Sequence, residues 1–357
     1  MSLHTYKIPV REIRKETSDC VSIAFDIPDQ FKQDFDFLSG QYLTLCTEIQ
    51  GESVRRSYSL CSWPGESEWR VAVKKVPGGK FSTFANTILK KGDILELFPP
   101  AGKFCLPPAP ASQKQNHLFI AAGSGITPVI SLIKQILNAR PFDQIILLYG
   151  NRSSDSVIFK PQLFALKDKF MNRLSLSFIL SQEETDEPFF TGRINPEKIS
   201  EVYGKLFNKE VLDQVFICGP EKMIFELKEY FQKKGLAEHQ IHFELFGTEG
   251  IPERFKVQSE EQSQIGTSQV SIKVDGRIIQ FNLAKEGPSV LDAALAQKAN
   301  LPFACKGGVC CTCKAKLTKG KVNMKVNYGL EPDEIDAGYI LSCQSHPVSD
   351  EIEVDFD

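Results

Sequence analysis

Four cysteines near the C-terminus constrain this chain more than any other feature. Cys305, Cys310 and Cys313 are spaced C-x4-C-x2-C, and Cys343 follows after 29 intervening residues. This is the spacing by which four thiolates hold a plant-type [2Fe–2S] cluster, three from one tight loop and the fourth from a separate segment. The loop reads Cys305-Lys306-Gly307-Gly308-Val309-Cys310-Cys311-Thr312-Cys313. Its glycines let the backbone close around a cluster and aim amide N–H groups at the sulfurs. Cys311 adjoins a ligand and is poorly placed to reach the same iron, so it is read as a non-ligand. Structural zinc is the alternative use of such thiolates. It normally shows two C-x2–4-C knuckles, or one with paired histidines, whereas here one knuckle is followed by His346 alone. Ten cysteines in 357 residues are too few for a disulfide scaffold. With no recognisable signal peptide, the expected compartment is the reducing cytoplasm. A chain carrying this cluster is expected to pass single electrons to a partner.

The length allows two or three separate cores. Hydrophobic residues at 42% and charged residues at 24% are ordinary for a globular protein, and a formal charge of −3 leaves no expectation of nucleic-acid binding. The longest apolar runs, such as 145–149, have strand length, so no membrane span is expected. Three blocks emerge. Residues 1–106 alternate apolar and polar positions in short runs (21–27, 42–46, 69–76), which predicts a small antiparallel barrel or sandwich. A stretch rich in Pro, Ala and Ser, 103–115, leads into the second block, 107–247. There strands at 117–122, 144–149, 174–180, 214–218 and 241–246 alternate with helical patterns at 128–138, 160–170 and 221–234. That alternation predicts a doubly wound parallel sheet. The polar segment 248–266 reads as a linker. In the third block, 267–357, Asp275-Gly276 between strand-like runs predicts a hairpin. Ser289 then caps a helix over 290–299 ahead of the cysteine loop, a β-grasp pattern.

Further motifs offer sites for flat rings and phosphates. Arg56-Ser57-Tyr58-Ser59 supplies a guanidinium, an aromatic face and a hydroxyl. Gly78-Gly79-Lys80-Phe81-Ser82-Thr83 leads into a helical stretch at 84–89, so free amides and the helix dipole make an anion site, or else a plain turn. In Gly123-Ser124-Gly125-Ile126-Thr127-Pro128 a strand enters Gly-x-Gly and a helix follows, which permits close approach of a pyrophosphate. Cys218-Gly219-Pro220 ends another strand of the same block, at the edge where open α/β sheets bind ligands. As a thiol, Cys218 also fits a plain core position, the reading given to Cys20, Cys46, Cys61 and Cys105.

Taken in order, Arg56-x-Tyr58-Ser59, Gly78-Gly79-x-x-Ser82, Gly123-x-Gly125-x-Thr127-Pro128 and Cys218-Gly219-Pro220 resemble the ferredoxin–NADP reductase superfamily, as does Gly40-Gln41-Tyr42. With the C-terminal cysteine loop, the chain resembles one-chain oxygenase reductases over nearly its whole length. More narrowly it resembles the reductase components of bacterial phenylacetyl-CoA ring epoxidases. That likeness is carried by Tyr149-Gly150-Asn151-Arg152-Ser153, Asn327-Tyr328-Gly329-Leu330-Glu331, Gly338-Tyr339-Ile340-Leu341-Ser342-Cys343-Gln344 and the ending Val354-Asp355-Phe356-Asp357. Reductases of steroid hydroxylases and of some acyl-CoA desaturases share the layout.

The resemblance implies a multidomain α/β plus β protein: an FAD-binding antiparallel barrel, a nucleotide domain and a β-grasp ferredoxin domain. It implies that Arg56 binds the flavin pyrophosphate, that Tyr58 stacks on the isoalloxazine, and that Ser59 bonds near its reactive nitrogen. Gly78, Gly79 and Ser82 would hold flavin phosphates. Gly123, Gly125, Thr127 and Gly219 would face the nicotinamide dinucleotide, and Cys218 the nicotinamide ring. Glu244 and Phe246 occupy the place of a carboxylate and an aromatic near the flavin. FAD rather than FMN is expected from the phosphate motif. Arg152, just after a strand end, suits the 2′-phosphate of NADPH, whereas an acidic residue there would favour NADH, and Asp155 lies three residues on. Hydride would pass from NADPH to the flavin, and single electrons through the cluster to an oxygenase component with a diiron centre. A self-contained NAD(P)H oxidase or redox sensor, or an electron carrier for a desaturase, is the competing class. Lys314, Lys316, Lys319 and Lys321 form a basic strip that reads as a docking face for an acidic partner or, more simply, as a solubilising surface.

Overall fold

The computed structural model describes residues 4–110, 112–206, 212–246 and 266–357, without the side chains of 203–206. The linker expected over 248–266 lies outside the described residues, Gly266 apart. The chain divides into two compact units, one formed by Tyr6–Val54 and Tyr58–Phe246, the other containing residues 266–357 together with residues 4–5 and Arg55–Ser57.

The first unit opens with β1 (Tyr6–Thr17), β2 (Cys20–Phe25), β3 (Tyr42–Ile49), β4 (Glu52–Ser59), β5 (Trp69–Lys74), helix α1 (Lys80–Thr87) and β6 (Ile94–Leu97). The strands form one sheet in the order β4-β3-β6-β1-β2-β5, with antiparallel pairing. A bridge between Leu60, just past β4, and Val71 on β5 joins its two edges into a barrel. β2 is buried along its whole length because it serves two cores. Val21, Ile23 and Phe25 fill the barrel, while Cys20 packs with the next sheet. The helical stretch expected at 84–89 starts earlier, at Lys80, because Gly79 already acts as the N-cap.

The same unit continues with β7 (Asn116–Ala122), α2 (Ile126–Ala139), β8 (Gln144–Asn151), α3 (Lys160–Lys169), β9 (Leu174–Leu180), α4 (Pro196–Leu206), β10 (Gln214–Cys218), α5 (Glu221–Lys233) and β11 (Ile241–Glu244). The sheet order is β11-β10-β7-β8-β9, all parallel. The chain therefore reverses direction of growth between β7 and β10, which opens a crevice at their carboxyl ends. α4 was not expected from the sequence, although Asn195-Pro196 is a start signal. The Asn195 side chain accepts from Lys198 N at 2.8 Å, and proline suits the first helical position. The core of this sheet takes in Cys20, Cys61, Ala72 and Phe104 from the barrel, so barrel and sheet share one continuous seam.

The second unit holds β12 (Thr267–Val274), β13 (Arg277–Ala284), α6 (Val290–Ala296), β14 (Lys314–Lys319), β15 (Val322–Met324), α7 (Pro332–Asp336), β16 (Tyr339–Leu341), β17 (Ser345–Pro347) and β18 (Glu351–Asp355). Its main sheet runs β13-β12-β18-β14-β16, with β12 and β18 parallel and the other pairs antiparallel. Asp275 and Gly276 turn the first hairpin with φ of +48° and +68°, the doubly left-handed backbone of a two-residue turn. Ser289 Oγ accepts from Asp292 N at 3.2 Å and caps α6. The sheet and α6 enclose a separate core around Val270, Ile272, Leu291, Leu341 and Val354.

Candidate functional site

In the second unit the four predicted thiols stand as two hydrogen-bonded pairs, Cys305 with Cys310 and Cys313 with Cys343. Two thiolates to each of two irons is the pairing such a cluster uses, although among the described residues no three metal-ligating side chains close to coordinating distance. The loop's amides point inward: Gly307 N lies 3.3 Å from Cys305 Sγ. Hydrogen bonding from the Cys310 thiol, against the opposing effect of burial and with help from the amides of Gly307, Val309 and Cys310, holds the Cys305 thiol below the ordinary thiol range. Lys306, Gly308 and Cys311 all have positive φ, +52°, +75° and +52°, as the loop curls on itself. At Gly308 a Cβ would come within 2.7 Å of Val326 O, so a side chain has no room. Tyr328 N donates to Gly308 O and Gln344 Nε2 to Lys306 O, at 3.0 and 2.8 Å, which braces the loop from two sides. Ser342 anchors Cys313 through two bonds to its carbonyl, from N at 3.2 Å and from Oγ at 2.9 Å. Cys311 Sγ packs at Gly329, where an added Cβ would lie 2.3 Å from it. Two of the four lysines in the strip beyond the loop form ion pairs, Lys314 with Glu334 at 3.1 Å and Lys319 with Glu351 at 2.7 Å.

In the first unit the predicted nucleotide residues gather at the carboxyl edge of the parallel sheet. Gly123, Gly125 and Thr127 follow β7, Arg152 follows β8, Cys218 ends β10 with Gly219 just after it, and Glu244 ends β11. Gly125 is required for space rather than for backbone angle: its φ is −61°, but a Cβ would sit 2.2 Å from Cys218 O. Gly219 likewise leaves no room beside Ala122 and Met223. The Tyr149 hydroxyl donates to Gly123 O at 2.8 Å and steadies the turn, a role that no sequence pattern signalled. Thr127 Oγ1 donates to Ser124 O at 3.0 Å, so its side chain shapes the turn while the first amides of α2 lack a side-chain cap. Both carboxylate oxygens of Glu221, the first residue of α5, are shielded from solvent without a hydrogen-bond partner among the described residues. The tight glycines, uncapped amides and orphaned carboxylate fit a dinucleotide with phosphates and ribose hydroxyls. The Arg152 side chain is exposed, as is Asp155.

Glu244 and Ser59 bring the sheet edge and the barrel together. Ser59 Oγ donates to Glu244 Oε2 at 3.0 Å across 185 residues of sequence. Glu244 keeps part of its surface open, yet the packing around its carboxyl pushes it up to about 8, and the Ser59 bond offsets only part of this. Cys218 pairs with Glu244 in the β10–β11 register and is fully buried, which drives its thiol well above the ordinary range. Cys20, Cys46 and Cys61 are buried as expected of core thiols, whereas Cys105 is only half-buried because it lies on the segment joining barrel to sheet.

Tyr58 presents a half-buried ring, 5.4 Å from Phe81 in the first turn of α1. Arg56 lies two residues earlier on β4, exposed, its Nη1 bonded to the carbonyl of Arg55 at 2.7 Å. Gly78 has φ +71°, with nothing within 4 Å of a notional Cβ, and α1 begins without a side-chain cap. Ser82 Oγ is spent inside this loop, accepting from Val76 N and donating to Gly79 O, both at 3.2 Å. An aromatic face beside uncapped helix amides fits a flavin with its phosphates. Phe246 is an exposed ring at 46%.

The oxidoreductase FAD-binding domain family matches residues 7–105, the oxidoreductase NAD-binding domain family residues 119–229, and the 2Fe-2S iron-sulfur cluster binding domain family residues 272–348. The chain is 42% identical to one component of the 1,2-phenylacetyl-CoA epoxidase of Escherichia coli (strain K12), over 99% of this chain and 98% of that one. It is 30% identical to the ferredoxin reductase component of 3-ketosteroid-9-alpha-monooxygenase of Rhodococcus rhodochrous, over 98% and 96%. The solved phthalate dioxygenase reductase shares the fold, with a TM-score of 0.59 at 21% identity, covering 99% of this chain and 98% of that one.

Proposed function

Because the chain belongs to the oxygenase reductases that join FAD-binding, NAD-binding and [2Fe–2S] domains in one polypeptide, we propose that it supplies electrons from NADPH to a phenylacetyl-CoA epoxidase. The observation that carries the choice of partner is the 42% identity, end to end, with a component of that epoxidase, against 30% for the steroid system. A nicotinamide, a flavin and a cluster bound at these sites would supply a hydride, the step from two electrons to one, and single-electron delivery.

The chain's own residues do the positioning. The uncapped start of α1 and Arg56 would hold the flavin phosphates, and Tyr58 would cover a ring face. Gly125 and Gly219 let a dinucleotide approach the sheet edge, where Glu221 would accept from ribose hydroxyls. Ser59 and Glu244 place a neutral hydrogen-bonding pair where the two rings would meet, since a carboxyl raised to about 8 stays mostly protonated at neutral pH. Cys305, Cys310, Cys313 and Cys343 would hold the cluster. Arg152 would face the 2′-phosphate, and the partner would be a diiron oxygenase component in the cytoplasm.

Mixing the purified protein with NADPH, air and the phenylacetyl-CoA oxygenase component tests the partner. Loss of phenylacetyl-CoA that depends on this chain is expected; reduction of cytochrome c without such loss would assign the reductase to another oxygenase. For the coenzyme, Arg152→Ala is expected to lower kcat/KM for NADPH roughly tenfold, one lost charge-assisted contact, and to leave NADH nearly unchanged. A wild-type preference for NADH would overturn the assignment.

A further inference from the structure

Helix α2 carries more than the nucleotide turn at its start. Ser131 and Lys134, three residues apart, lie on one helix face. Ser131 is fully buried, and its Oγ donates to Ser62 O at 2.5 Å. Lys134 Nζ donates to Cys61 O at 3.1 Å and meets the Glu66 carboxylate at 3.0 and 3.1 Å. Residues 61–66 come directly after Ser59 and Leu60 at the end of β4. They form a tight turn: Glu66 N donates to Trp63 O at 2.9 Å, and the Glu66 carboxylate accepts from Trp63 N at 3.1 Å. The Trp63 ring covers Gly65 so closely that a Cβ there would lie 2.1 Å away. Lys134 thus grips a stiff piece of barrel just past the flavin-facing strand. Its own helix begins at the dinucleotide turn, and Thr127 lies seven residues back, about 10 Å of rigid helix.

We infer that Lys134, with Ser131 and Glu66, is a positioning clamp that sets the separation of the nicotinamide and flavin sites and so the rate of hydride transfer between them. Hydride transfer is steep in distance, and a shift of about 1 Å costs on the order of 100-fold in rate. Packing along the seam holds barrel and sheet together without directional preference of its own. The bonds from Ser131 and Lys134 to the carbonyls of Ser62 and Cys61 add that direction. The inference needs only the NAD(P)H-to-flavin step, whichever oxygenase receives the electrons.

The test is anaerobic stopped-flow reduction of the flavin in the intact holoprotein, using its preferred nicotinamide coenzyme, for wild type, Lys134→Met, Lys134→Arg and Glu66→Gln. For Lys134→Met the limiting rate is expected to fall about tenfold, with the coenzyme Kd changed by less than about twofold, because orientation is lost and contact with the coenzyme is not. The long-wavelength absorption of the stacked coenzyme–flavin complex should weaken in parallel, and Lys134→Arg should restore both. Hydrogen exchange of the protein before coenzyme is added should speed up in residues 60–66. A limiting rate in Lys134→Met within about twofold of wild type would overturn the clamp even if the variant were less stable, since that is the signature of a merely structural contact. Should Lys134→Met fail to fold, Glu66→Gln, which keeps the Lys134–Cys61 bond, should still slow the step measurably, and an unchanged rate there would equally overturn it.

Discussion

Glu244 concentrates the electrostatics of the proposed flavin–nicotinamide edge in one residue. Its carboxyl is raised from 4.5 to about 8 by burial. The folded protein therefore holds a proton there that the unfolded chain has already released between those two values. Stability from this group is fully present below about pH 4.5 and is lost as pH climbs through about 8. The slope is at most about 1.4 kcal/mol per pH unit, less where solvent reaches the open edge of the group. Glu244→Gln keeps the shape and cannot ionise, so its urea-unfolding stability should fall less than that of wild type between pH 6 and 9; parallel declines would refute the shift. The residue types at this edge could be read from the sequence, but the pairing of Ser59 with Glu244 could not. It joins positions 185 residues apart through packing that no local pattern encodes.

Elements were legible where local chemistry decides them. Asp275-Gly276 marked its hairpin because only a doubly left-handed turn matches the strand twist. Ser289 marked the start of α6 because its hydroxyl serves an otherwise orphaned amide. Boundaries moved where a tertiary partner extended an element, as when β8 ran on to Asn151 beside β9. The turn after β7 yields a prediction of its own. Gly125→Ala introduces a Cβ 2.2 Å from Cys218 O, a backbone atom held in the sheet, so the strand or the turn must shift. A cost of about 1–3 kcal/mol is expected. Thermal unfolding and NAD(P)H affinity should both fall; a variant with wild-type stability and binding would show that the turn yields freely.

Across the whole molecule, the four cysteines proposed to hold the cluster and the Ser59–Glu244 edge lie in different compact units with separate cores. Damage to one centre should therefore leave the other intact. Cys310→Ser is expected to lose the visible and EPR signals of the cluster and delivery to the oxygenase, while flavin reduction by NAD(P)H continues. Cys311→Ser, altering a thiol packed at Gly329, should keep the cluster signals. Loss of those signals in Cys311→Ser would make it a ligand. The sequence alone determined the kinds of domain and supplied the donor set proposed for the cluster, because cysteine spacing, glycine turns and strand–helix alternation are local and carry their chemistry with them. Tertiary structure alone decided that Lys134 grips Cys61 and Glu66, that Tyr149 steadies Gly123, that Ser59 reaches Glu244, and that Cys105 stays half-open. Those contacts depend on how the barrel closes at Leu60–Val71 and where the parallel sheet reverses, both set by packing between distant segments.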